Sequence, residues 1–363
     1  MRPILRLAPV LVLFCACNKP ASTTTAPVTD PSAGEVAEEA SGPAARWRYT
    51  IAVDEALEHL DLGLCIVGPQ PQRLVATEGA LAYVEAARVR GGPELVREDG
   101  GLRVDDLGEQ GCVDLRIDLG AAVADGGRDV VARSGSLMIS PRSWLWHPAR
   151  IPQDLDAQAR FELPAGLHAT VPWPEVDAGA DGGEQTDWRR LSSSAFRWDA
   201  WASFGRSPPL HFVAAECPFE VAVLGGTEAV ALDEAALQRW ITVAAETSAT
   251  LYGRFPRERV TVVVVPASGW RDDPVLFGMA RRGGGASAML MLDTDASAEA
   301  LVGEWVAAHE FLHLTMPYIA DPWMSEGFVT YYTQILRARR GVLGWGGASE
   351  QGESAEQRQA RLA

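Results

Sequence analysis

Two of the chain's six histidines stand four residues apart in the stretch WVAAHEFLHLT, with a glutamate directly after the first. In an α-helix, a step of four residues turns the chain by about 400°, so the side chains of His309 and His313 lie on one face, one turn apart. Two imidazoles placed in this way can bind a single metal ion. Glu310 lies about 100° round the helix from His309, where it can reach a water molecule on that ion without having to bind the ion itself. The spacing therefore predicts a helix that carries part of a metal site.

A third ligand is predicted at Glu326, in the segment WMSEGF. The connection from the first helix contains two prolines, and a loop of about six residues spans roughly 20 Å, which is enough for the next helix to fold back toward the same ion. Catalytic zinc sites use three protein ligands and one open position, and the H-E-x-x-H pattern is typical of zinc sites in peptidases. We expect one Zn²⁺ per chain, bound by His309, His313 and Glu326. The alternative is an ordinary helix with two hydrogen-bonded histidines and a solvated glutamate.

The hydrophobic pattern divides the chain into two parts. From 47 to about 223, short alternating or β-branched runs such as RWRYTIAV and CVDLRIDL predict strands. Helical spacing then predicts a helix from Asp233 to Gly253, a motif helix from about Ser297 to Thr315 and a last helix from about Trp323 to Arg340, with strands at 259–266 and 283–292. We predict an α+β fold with a β-rich N-terminal domain at 46–225, a second domain at 226–345 that contains the motif, and a disordered tail at 346–363.

The motif residues resemble those of the gluzincins, zinc peptidases with an H-E-x-x-H helix and a glutamate ligand on the following helix. The segment WMSEGFVTYY is most similar to the W-x-x-E-G-F-x-x-Y segment of the aminopeptidase N and glycyl aminopeptidase types, in which a β-rich domain also precedes the catalytic domain. The resemblance implies a thermolysin-like catalytic domain and a peptide or protein substrate. It also implies that His309, His313 and Glu326 bind zinc while Glu310 is the general base and then the proton shuttle.

This chain departs from those types in ways that bear on its activity. The connection between His313 and Glu326 is twelve residues long, shorter than in the aminopeptidase N type. Exopeptidases of that type have a Gly-x-Met-Glu-Asn strand whose acid binds the substrate's free amine, and we expect the corresponding stretch here to be RRGGGASAMLML, which has no acid. Cleavage inside peptides is therefore favoured over removal of N-terminal residues.

Candidates for supporting roles follow Glu326 on the same predicted helix. Tyr331 and Tyr332 are candidates for the residue that stabilises the transition state, and the alternative for each is packing against the motif helix. Thr330, one helical turn beyond Glu326, is a candidate for orienting a histidine ligand.

The N-terminus, MRPILRLAPVLVLFCACNKP, has two arginines, a short apolar stretch and a cysteine after a small residue. This pattern predicts a signal peptide at 1–16 that is too short to span a bilayer as a helix. Ala16 and Cys17 resemble the lipobox of bacterial lipoproteins, which implies lipidation of Cys17, a flexible tether at 17–45 and attachment of an exported protein to the bacterial cell envelope. The alternatives are cleavage by an ordinary signal peptidase and an uncleaved anchor.

The cysteines and the net charge limit what the exported chain can be. Disulfides persist outside the cytoplasm, and Cys65 and Cys112 both fall in strand-like stretches, so a bridge between them is predicted, with free buried thiols as the alternative. The net charge of −16 argues against binding to nucleic acid. One other class of function stays open: a non-catalytic, lipid-anchored binding module in which zinc holds two helices together. A structural zinc site usually has four Cys or His ligands, so the three-ligand pattern favours catalysis.

Overall fold

The computed structural model describes residues 45–107, 111–127, 129–176, 187–268 and 273–343. The predicted signal peptide, Cys17, the predicted tail and nearly all of the predicted tether lie outside these ranges. Strands predominate in the first part of the described chain: β1 (Arg46–Val53), β2 (His59–Val67), β3 (Arg73–Val75), β4 (Val84–Val89), β5 (Val96–Glu98), β6 (Gly101–Arg103), β7 (Cys112–Asp118), β8 (Val130–Arg133), β9 (Ser136–Ile139), β10 (His147–Pro148), β11 (Asp156–Glu162), β12 (His168–Thr170), β13 (Trp188–Leu191) and β14 (Ser203–Gly205).

The second part alternates strands with helices. Its strands are β15 (Leu210–Ala214), β16 (Cys217–Val223), β17 (Val260–Ala267), β18 (Val275–Arg281) and β19 (Ala286–Asp293). The α-helices of the described chain are α1 (Leu119–Asp125), α2 (Glu234–Ala249), α3 (Ala298–Val302), α4 (Val306–Thr315) and α5 (Pro322–Arg339). The fold is thus α+β and rich in strands. No helix among the described residues combines the length and the apolar character that crossing a membrane requires.

The first part of the described chain forms three sheets. One has six strands in the order β13-β11-β1-β2-β7-β4, and two have four strands each, in the orders β10-β3-β6-β5 and β12-β14-β9-β8. Alternate side chains of β1 and β2 are buried, as expected for strands that turn one face to a core. That core contains several fully buried tryptophans, namely Trp47, Trp144, Trp146 and Trp173.

A five-stranded sheet, in the order β15-β16-β17-β19-β18, supports the motif helix. Every residue of β17, with the sequence VTVVVVPA, is buried, because both faces of this central strand are covered. β18 is an edge strand and runs antiparallel to β19. The sequence did not predict β18, since VLFGMAR has no alternation and contains a glycine. β15 pairs with β16, and β16 pairs with β17, so this sheet extends across the predicted boundary at 225/226. The division into two domains stays a prediction.

The predicted motif helix at 297–315 is wrong in one respect, because the structure divides it into α3 and α4. Gly303 ends the first helix, and the carboxylate of Glu304 accepts hydrogen bonds from the backbone N–H groups of Val306 and Ala307. A carboxylate at this point satisfies the free donors of a new helix N-terminus, which a continuous helix would not present. The interruption positions α4 independently of α3.

Candidate metal centre

α4 presents both motif histidines to one side. Its other positions are mostly apolar and buried, including Ala307, Phe311 and Leu314, so the helix is embedded in the core and its orientation is determined by packing. The rings of His309 and His313 lie 4.8 Å apart between centroids, as expected for residues one helical turn apart. Burial lowers the pKa of both imidazoles, which favours the neutral form that binds metals.

Glu326 reaches these imidazoles from the first turns of α5. Asp321 accepts a hydrogen bond from Trp323 N–H and so caps the helix, and Pro322 occupies its first turn, where a missing N–H costs nothing. One carboxylate oxygen of Glu326, Oε2, lies 3.1 Å from His309 Nε2, and the other, Oε1, lies 3.3 Å from His313 Nε2. The structure therefore brings together the three residues that the sequence predicted as ligands.

The donor atoms have the spacing that a bound metal ion requires. The Nε2 atoms of His309 and His313 are 3.2 Å apart, and the two contacts of Glu326 are of similar length. Ligands at about 2.0–2.1 Å from a tetrahedral metal lie roughly 3.3 Å from one another. Two neutral imidazoles and a carboxylate are also common metal ligands. The group His309, His313 and Glu326 could therefore hold a metal ion.

Glu310 is buried between α4 and the edge strand β18. Its Oε2 atom accepts a hydrogen bond of 2.8 Å from the backbone N–H of Ala280. Burial raises the pKa of Glu310 to about 8, although the Ala280 N–H acts in the opposite direction. A Cβ atom at Gly278 would lie 2.5 Å from Glu310 Cγ and 2.8 Å from Val306 Cγ1. The absence of a side chain at Gly278 is what allows β18 to approach α4 so closely.

These four residues open onto a cleft of about 1020 Å³. Its walls come from β18, from the loop between α4 and α5, and from the segment 194–199 in the first part of the chain. Aromatic side chains stand around it, with Trp198, Phe277, Trp305 and Tyr318 each more than 40% exposed. The cleft is therefore large enough for an extended molecule to bind beside His309, His313 and Glu326.

Residues that the sequence did not single out secure both ends of α4. At its N-terminus, burial raises the pKa of Glu304, while the N–H donors of Trp240, Ala307 and Val306 stabilise its charge. The only local signal for this role is an acidic residue just before the first helical turn. At the other end, Arg282 donates to the carbonyl oxygens of His313 and Met316, and Arg257 Nε donates to Leu314 O at 2.6 Å.

The weaker candidates from the sequence have other surroundings. Thr330 is exposed on α5. Tyr331 is 60% exposed and packs edge-on against Tyr332, and Tyr332 packs against a cluster of α4 and α5 side chains that includes Leu312. None of the three lines the cleft, whereas Tyr318 does. Nδ1 of His309 is buried without a hydrogen-bond partner among the described residues.

The cysteines of the described chain lie away from this centre. Cys65 on β2 and Cys112 on β7 face each other in the sheet and form a disulfide. Cys217 is a buried free thiol, and burial raises its pKa to about 12. Cys217 is therefore an unreactive, structural cysteine.

Comparison with known proteins gives likenesses among solved structures. No family model and no curated protein matches the chain. Among solved structures, an aminopeptidase N family protein from Idiomarina loihiensis superposes with a TM-score of 0.58 and 13% sequence identity, over 82% of this chain and 55% of that protein. This chain thus spans little more than half the length of that relative. At this identity the likeness concerns the fold alone: the chain has a strand-rich α+β fold similar to that of an aminopeptidase N family protein.

Proposed function

We propose that this protein is a zinc-dependent metallopeptidase of the gluzincin type. The observation that carries the proposal is the convergence of His309, His313 and Glu326, with donor–donor contacts of 3.1 to 3.3 Å. Glu310 is adjacent on the same helix and faces the same cleft. The fold similarity to an aminopeptidase N family protein is in keeping with this function.

In the proposed reaction, Glu310 moves the proton. Zinc bound by His309, His313 and Glu326 would supply Lewis-acid chemistry and would lower the pKa of a water bound to it. The Glu310 carboxylate takes a proton from the attacking water and returns it to the leaving amine. The hydrogen bond from Ala280 N–H fixes one oxygen of this carboxylate, and the other oxygen is left to handle the proton. β18, with the sequence VLFGMAR, has no acidic side chain, and so we propose cleavage within peptides.

We further propose that the protein is exported and tethered to the cell envelope by a lipid on Cys17, which lies outside the described residues. A Cys17→Ala variant should then appear in the soluble fraction when cells are broken. Wild-type protein that is itself soluble after fractionation would remove the lipid anchor from the proposal and leave the peptidase activity untouched.

Metal analysis combined with one conservative substitution tests the peptidase activity. Purified protein should contain about one zinc per chain and cut a mixed peptide library. Glu310→Gln should retain the zinc and lose cleavage by a factor of about 10² or more, the scale of general base catalysis. Glu299→Gln, which changes an exposed glutamate on α3, is the matched control and should behave as wild type. Protein without zinc refutes the proposal, and zinc-loaded wild type that cuts no peptide favours the binding module.

A further inference from the structure

One wall of the cleft is built by the segment 194–199, which is fixed against the β18–β19 hairpin. Gly283 N–H donates to Asp199 O at 2.7 Å, and Gly284 N–H donates to Ser194 Oγ at 3.1 Å. The ring of Trp198 packs on that of Tyr318, in the loop before α5, with 4.8 Å between centroids. These contacts hold the neighbouring Arg197 at the cleft.

The charges on this cleft contrast with those of the chain. The whole sequence has a net charge of −16, but the cleft is lined by four arginines: Arg142, Arg197, Arg281 and Arg282. The carboxylates that line it are Glu310 and Glu326, which belong to the candidate metal centre, and Asp199. Among the described residues, Asp199 is thus the one carboxylate outside that centre that lines the cleft and could neutralise the arginines.

The four arginines differ in how far they are neutralised. Arg281 is ion-paired with Asp129, lies 3.8 Å from Asp199 and stacks on a tryptophan ring. Arg282 donates to backbone carbonyls. Arg142 approaches Asp199 at 3.7 Å, and that carboxylate also accepts from Ser140.

The guanidinium of Arg197 makes no hydrogen bond or ion pair within the part of the chain that the structure describes. Positive charge therefore remains unmatched on the wall formed by Arg142 and Arg197. A ligand carboxylate could neutralise it, because a guanidinium offers a planar fork of donors that matches the two carboxylate oxygens. The positive charge of a free amine would be repelled by these arginines.

We propose that Arg197, supported by Arg142, selects substrates that carry a carboxylate. This inference rests on the proposed peptidase function and adds a substrate class to it. The carboxylate belongs either to an acidic side chain or to the C-terminus of the peptide. Both sources present the same group to Arg197, and the choice of peptides separates them.

A matched set of peptides tests the selection on the intact zinc-loaded protein. One peptide carries Glu where its partner carries Gln, and each is made with a free and with an amidated C-terminus. We expect kcat/KM to be about tenfold higher for the preferred carboxylate, which corresponds to about 1.4 kcal/mol. Loss of rate with Gln identifies a side-chain carboxylate, and loss with the amide identifies the terminal one. The preference should weaken in high salt, because part of it is electrostatic attraction at an exposed arginine.

Variants assign the preference to a residue. Arg197→Gln should abolish the difference in kcat/KM between acidic and neutral peptides, and Arg197→Lys should keep part of it. Arg254→Gln is the matched control, since Arg254 is exposed outside the cleft and has no hydrogen bond or ion pair among the described residues. Equal kcat/KM for acidic and neutral peptides, or an equal effect of both Gln variants, overturns the inference.

A binding measurement separates this inference from the proposed function. The Glu310→Gln variant should bind the labelled carboxylate peptide about tenfold more tightly than its neutral partner, as measured by fluorescence anisotropy. If the wild type cuts no peptide, the proposed function fails, and the anisotropy measurement still decides the role of Arg197. Equal dissociation constants for the two peptides overturn that role even if both are cut.

Discussion

Gly278 on β18 has no room for a methyl group. An added Cβ would lie 2.5 Å from Glu310 Cγ and 2.8 Å from Val306 Cγ1, whereas carbon atoms in contact normally lie about 3.5–4.0 Å apart. A Gly278→Ala variant must therefore displace the side chains of Glu310 and Val306 or separate β18 from α4 by about 1 Å. Neither element moves easily, since β18 is paired with β19 and α4 is buried in the core.

Two effects of Gly278→Ala follow from that displacement. Overpacking costs about 1–3 kcal/mol, which lowers the melting temperature by roughly 2–12 °C at about 2–4 °C per kcal/mol for a domain of this size. The displacement also moves Glu310 relative to the candidate ligands, and an error of about 1 Å in a catalytic group costs about 100-fold in rate. Zinc content should not change, because the three atoms nearest to the new methyl group belong to Glu310 and Val306 and not to a candidate metal ligand.

Differential scanning calorimetry, zinc analysis and peptide cleavage measure these three expectations. Gly327→Ala is the control, because Gly327 lies in α5 with open space where its Cβ would be, and alanine there should stabilise the helix by about 0.5–1 kcal/mol. If Gly278→Ala melts at the wild-type temperature and cuts peptides at the wild-type rate, the close approach of β18 to Glu310 is not what positions this side chain.

Three further predictions concern the scaffold. Arg337 is buried and donates a hydrogen bond to Gly303 O at the end of α3. Arg337→Gln should therefore lower the free energy of unfolding, measured by urea denaturation, by about 1–3 kcal/mol. Arg339→Gln, at an exposed position, should stay within about 0.5 kcal/mol of wild type. Burial lowers the pKa of His147, so the folded protein binds a proton at this imidazole less readily than the unfolded chain does. Stability should therefore fall as the pH drops below about 6.5. In His147→Gln, the urea midpoint should decrease less between pH 6.5 and pH 5 than in the wild type. Replacing both Cys65 and Cys112 by serine should cost about 2–5 kcal/mol, and a urea midpoint equal to that of the oxidised wild type would contradict the disulfide.

The candidate metal centre shows how much of a site can be predicted from local sequence patterns. The four-residue spacing of His309 and His313 predicts their common face from helix geometry alone. The placement of Glu326 early in the next helix needed one further assumption, that the loop folds back, and the structure brings its carboxylate to both imidazoles. The strand-rich character of residues 47–223 was also predicted, because alternating hydrophobic residues indicate strands.

The sequence did not predict the strand that packs against Glu310. It gave the stretch RRGGGASAMLML as the counterpart of the exopeptidase strand, and the structure places the preceding strand, β18, against Glu310. β19 is the more hydrophobic of the two because it is covered on both faces, and β18 is partly exposed. Hydrophobic pattern finds buried strands more readily than edge strands, which in this fold is where the cleft lies.

By itself, the sequence determined the common face of His309 and His313 and the strand-rich α+β character, because both follow from spacings within single helices and strands. Only the tertiary structure decided what surrounds the candidate metal centre: the Ala280 N–H on Glu310, the carboxylate of Glu304 at the start of α4, and Arg197 on the cleft wall. Arg197 lies more than 100 residues before the histidines. Contacts over such separations depend on how sheets and helices pack, and no local periodicity encodes them.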